Sequence, residues 1–135
     1  MTEFEQLAER ERKRNRRLVP FHVERDRYLY GNSGTYPFSE DFKDSMEHYL
    51  INGLEPGGFA TAMLAHDLER ALYNADTYNR QVYWAIAMWV RETCPEQATG
   101  SYEAVKAWCE NRDGRRDRYK DELEKQFAWK QLEQR

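Results

Sequence analysis

The sequence predicts a mainly α protein: a compact helical domain of about five or six helices with a short extended or β-hairpin arm. Apolar residues recur at three- and four-residue spacing over most of the chain. Ser, Thr and Asp stand where those runs begin, and Gly or Pro where they end. Only the stretch from Leu18 to Phe38 breaks this pattern, with alternation and a Gly-rich turn. At 135 residues the chain is expected to form one domain over 1–135: a charged N-terminal helix (1–17), the arm (18–38), a helical core (39–110) and a C-terminal helix (111–135).

Thr2 and Glu5 have capping-box spacing, and residues 3–17 follow as a helix with Phe4, Leu7 and Ala8 as its apolar patch. Glu3, Glu5 and Glu9 come early and Arg10 to Arg17 late, an order that complements the helix dipole. The same basic run offers Arg12, Lys13, Arg16 and Arg17 as contacts for phosphate or nucleic acid. In the arm, Val19, Phe21 and Val23 alternate with polar residues. Gly31-Asn32-Ser33-Gly34 then separates Tyr28-Leu29-Tyr30 from Thr35-Tyr36-Pro37-Phe38, as in a hairpin or an extended arm with a tight loop.

Ser39 is placed to cap a helix over 40–52 with Phe42, Met46, Tyr49 and Leu50 inward, and Gly53 to end it. Pro56, Gly57 and Gly58 form a corner, with the two glycines expected to permit close helix packing. From there a continuous helix is expected, with Ala60, Leu64, Leu68, Ala71, Leu72 and Ala75 on its packed side and His66 as an ordinary helical residue. Asp76 or Thr77 caps the next helix, about 78–92. It carries Val82, Ile86, Trp89 and Val90 on one side and Trp84 and Met88 on another, so it is expected to be either the buried centre of the domain or, the favoured reading, part of an oligomer interface. Ser101 starts a short helix with Val105 and Trp108. The tail places Tyr119, Leu123, Phe127 and Leu132 at helical spacing.

The run Gly53-Leu54-Glu55-Pro56-Gly57-Gly58-Phe59, continued by Ala60 to Leu68, Ala71 and Ala75-Asp76, resembles a pattern in small tailed-bacteriophage proteins. Pro95, Gly100-Ser101 and Trp108 extend it, so the resemblance covers roughly residues 42–110. Members of that family usually carry Asn where this chain has His66. The resemblance implies a compact helical phage accessory protein acting in the host bacterial cytoplasm, and it transfers no catalytic residues.

Twenty-one basic and twenty-four acidic residues leave a net charge of −3, which argues against a general nucleic-acid coat. No run is apolar for the ~20 residues a membrane span needs, and no secretory leader is evident. Cys94 and Cys109 lack metal or redox spacing, and His22, His48 and His66 are too scattered to propose a metal site. No carboxylate pair or activated nucleophile stands out, so neither a catalytic residue nor a cofactor is predicted.

Nine Tyr, six Phe and four Trp either fill the core or serve a binding surface. Arg112, Arg115, Arg116 and Arg118 are interleaved with Tyr119, a combination suited to gripping phosphates while stacking on a base. The expectation is therefore a non-enzymatic, homo-oligomeric accessory protein for counter-defence. It would sequester a nucleotide-type signal through those arginines with Tyr28, Tyr30, Tyr36 and Tyr119, or inhibit a host defence protein. The alternatives are a nucleic-acid-binding regulator acting through the first helix and a virion structural or assembly protein.

Overall fold

A computed structural model describes residues 2–14, 17–21 and 36–133. Among them the fold is mainly helical and holds no strand. Its helices are α1 (Glu3–Arg14), α2 (Glu40–Asn52), α3 (Gly58–Leu64), α4 (Leu68–Asn74), α5 (Thr77–Gln81), α6 (Tyr83–Thr93), α7 (Tyr102–Cys109) and α8 (Arg115–Glu133). The predicted hairpin turn, with Tyr28 and Tyr30, lies outside the described residues. The two ends of the arm are neither helix nor strand, with a bend at Leu18–Val19, and the Tyr36 N–H donates to the Phe21 carbonyl at 3.2 Å.

α2 forms where its capping residues place it. Ser39 Oγ accepts the Phe42 N–H at 3.1 Å, and Gly53 ends the helix in the left-handed region at φ 71°. Phe42, Met46, Tyr49 and Leu50 are all buried, as their spacing predicts. α8 and α7 pack against α2. Trp108 Nε1 donates to the Tyr49 carbonyl at 3.2 Å, and the Tyr49 hydroxyl donates to the Ala98 carbonyl at 2.8 Å.

The expected continuous central helix is instead two helices. His66 takes a left-handed φ of 61°, its N–H donates to Met63 O, and the Asp67 N–H donates to Ala62 O at 2.9 Å. That pair of bonds is a Schellman closure. Asp67 then caps α4 by accepting the Arg70 N–H. A tertiary bond fixes the break: the Gly100 N–H donates to Leu64 O at 2.9 Å, occupying a carbonyl that a continuing helix would use. A second break at Val82 (φ −106°, ψ 12°) divides the predicted 78–92 helix into α5 and α6.

An exposed non-glycine residue in the left-handed region costs about 1 kcal/mol. His66→Gly is therefore expected to raise stability by roughly 0.5–1 kcal/mol, seen as a higher thermal midpoint. A drop would show that the imidazole makes a contact that offsets the strain.

The corner glycines do not act as expected. Gly57 has φ −63° and caps α3, and a Cβ there would meet nothing within 4 Å. A Cβ on Gly58 would touch only Asn74 Nδ2 at 3.6 Å, an ordinary contact. Close helix packing does not explain either glycine. What holds the corner is Pro56, whose carbonyl accepts the Thr61 hydroxyl at 2.9 Å.

The core is built around Trp89 and Trp108. Phe21 stacks on Trp89 at 5.3 Å, and Phe38 and Phe42 meet it edge-on at 5.8 and 6.1 Å. Residues 17–21 are strapped to α2: Glu47 accepts the Leu18 and Val19 N–H groups at 3.1 and 3.2 Å. Burial raises the Glu47 carboxyl above its ordinary 4.5, against the opposing pull of the Leu18 and Val19 N–H groups and the Arg17 charge. A carboxyl raised on folding contributes stability that is complete below 4.5 and is lost as pH rises through the folded value. The stability of wild type relative to Glu47→Gln should therefore increase as pH falls from 7 towards 4.5. Thermal unfolding of both proteins across that range checks the sign, and a gap that narrows on acidification would contradict it.

Candidate partner-binding face

The arginines expected to hold a phosphate are engaged with their own neighbours. Asn111 and Asp113 take left-handed φ values of 51° and 59°, which turns the chain tightly between α7 and α8. Asn111 Oδ1 accepts the Arg116 and Asp117 N–H groups, capping α8 from outside. Around this turn Arg112 pairs with Glu103 at 2.8 Å and with Glu110 at 2.6 Å. The Arg112 hydrogen bond holds the Glu103 carboxyl below its usual range. Arg115 donates to Arg112 O and Asp113, and Arg118 to Asp113 O. Arg116 donates to Trp108 O and Cys109 O, both at 2.8 Å, completing the C-terminus of α7. That bonding makes Arg116 a structural residue.

Of the four predicted tyrosines, Tyr28 and Tyr30 lie outside the described residues, and the other two are engaged in packing. Tyr119 packs edge-on to Trp108 at 5.6 Å. Tyr36 is buried, stacked on Phe38 at 5.2 Å, with its hydroxyl donating to Glu92 at 3.4 Å. On the N-terminal side, Arg12 and Lys13 lie in the last turn of α1, and Arg16 is outside the described residues. Arg17 pairs with Glu40 at 2.9 Å and Asp44 at 2.6 Å. With 13% of its side chain exposed, it serves the strap rather than an external phosphate.

A shallow groove beside α2 and the corner is lined by Asp41, Asp44 and Glu55, a charge that repels phosphates. Burial raises the Cys94 and Cys109 thiols, so little thiolate exists near neutral pH. Among the described residues no three metal-ligating side chains converge, and no helix is long and apolar enough to cross a membrane.

The surface that stands out is on α4. The break at His66 turns Leu68 and Leu72, both expected on the packed side, outward to 48% and 49% exposure, and leaves Ala71 and Ala75 facing inward. Tyr73 protrudes beside them, 85% exposed. Hydrogen bonds gather further aromatics around this helix. The Tyr102 hydroxyl, from the first residue of α7, donates to Asp67 Oδ2 at 2.7 Å. The Tyr83 hydroxyl, from the first residue of α6, donates to Leu68 O at 2.7 Å. Trp84 follows Tyr83 in sequence and is 54% exposed. The Tyr102 hydrogen bond, with the Arg70 N–H, lowers the Asp67 carboxyl, so Asp67 stays ionised and holds Tyr102 in place.

The result is a helix that exposes Leu68, Leu72 and Tyr73, with Tyr83 and Tyr102 tethered at its N-terminal end, and tyrosine is among the residue types enriched in binding hot spots. Periodicity placed the two leucines in the core because it treated the helix as unbroken. A signal for the break was present, since His66-Asp67 is an αL-tolerant residue followed by a cap-former.

Comparison with protein-family models, with curated proteins and with solved structures returns no match to this chain. The functional reading rests on the surface chemistry just described.

Proposed function

We propose that this chain is a non-enzymatic binding protein that captures a protein partner through the α4 face. The observation that supports it is the exposure of Leu68, Leu72 and Tyr73 beside tethered Tyr83 and Tyr102. Exposed leucine and tyrosine side chains grouped on one helix fit an interaction surface. In the phage setting that the central motif suggests, the partner is a host defence protein, and capture in the host cytoplasm is the counter-defence step. Sequestration of a nucleotide signal has less support, because Arg112, Arg115, Arg116 and Arg118 already hold carboxylates and carbonyls. The same face would serve a homo-oligomer if the occupant were a second copy.

The test uses the whole chain as bait in host-cell extract beside a Leu72→Asp/Tyr73→Ala variant and an Arg112→Ala/Arg115→Ala variant. A captured protein is then purified and its affinity measured against all three. The face variant is expected to bind at least ~10-fold more weakly, since burying the introduced carboxylate without a partner costs more than about 1.4 kcal/mol, while its thermal midpoint stays close to wild type. The arginine variant should bind like wild type. Equal affinity of the face variant would overturn the proposal. A selective rise in the thermal midpoint with a cyclic or ADP-ribose-type nucleotide, lost in the arginine variant, would replace it with the nucleotide reading.

A further inference from the structure

We draw no further inference here: the strongest candidate outside the face already described, the Phe4–Leu7 side of α1, is exposed and apolar, and nothing in the structure shows what covers it.

Discussion

Replacing Trp89 with alanine is expected to lower folding stability by about 3–5 kcal/mol, the usual cost of truncating a fully buried tryptophan. The thermal midpoint should fall by roughly 10–20 °C for a chain of this size. Trp89 has no exposed surface, and its ring is where three segments meet: Phe21 from the strap, Phe38 from the arm, and Phe42 from α2. Its indole N–H also donates to the Pro20 carbonyl at 2.9 Å. Truncation leaves a cavity that none of these rings can fill without leaving its own packing partners. Trp89→Phe keeps a ring in the slot and should cost less. A loss below about 1 kcal/mol for the alanine variant would mean that the strap is not seated on α6 through this stack.

Gly53→Ala is expected to lower stability by about 2–4 kcal/mol. The backbone there has φ +71°, which an alanine adopts only with strain. The added Cβ would lie 1.9 Å from Arg116 Nη1, 2.5 Å from its Cζ and 3.0 Å from the Cys109 carbonyl. The guanidinium must move, and moving it releases the Trp108 and Cys109 carbonyls. The strain and the displacement can be separated by a double-mutant cycle. With Arg116→Ala already made, Gly53→Ala should cost distinctly less than in wild type, because only the backbone strain is left. Strict additivity of the two changes would show that Gly53 and Arg116 do not share this site.

What was legible in the sequence was local. Ser39, Asp76 and Ser101 each accept the N–H three residues on, as capping chemistry requires, and Gly53 closes α2 in the left-handed conformation. The apolar spacing of α2 and α7 also matches their buried faces. What was not legible depends on partners far along the chain. Beside the local closure at His66, the Gly100 N–H takes the Leu64 carbonyl, and Tyr83 reaches back to Leu68. Neither bond leaves a periodic trace. Moving the break to His66 rotates Leu68 and Leu72 from core to surface, so one missed turn hid the candidate face. The arginine cluster shows the converse. Its composition suggested phosphate binding, yet the left-handed residues of Asn111-Arg112-Asp113-Gly114 fold the guanidinium groups onto neighbouring carbonyls and carboxylates. The aromatic excess is likewise shared between the core, through Phe21, Tyr36, Trp89 and Trp108, and the surface, through Tyr73, Trp84 and Tyr102.

The central claim is that partner capture occurs on α4 and the residues tethered to it. Hydrogen exchange of the chain, free and in complex with the purified partner, reads this most directly, because α4 is a short helix whose exposed amides exchange readily when uncovered. The account predicts that binding slows exchange over residues 66–74 and around Tyr83, Trp84 and Tyr102, and leaves residues 111–118 as they were. Slowing confined to 111–118 or to α1, with residues 66–74 unchanged, would contradict it.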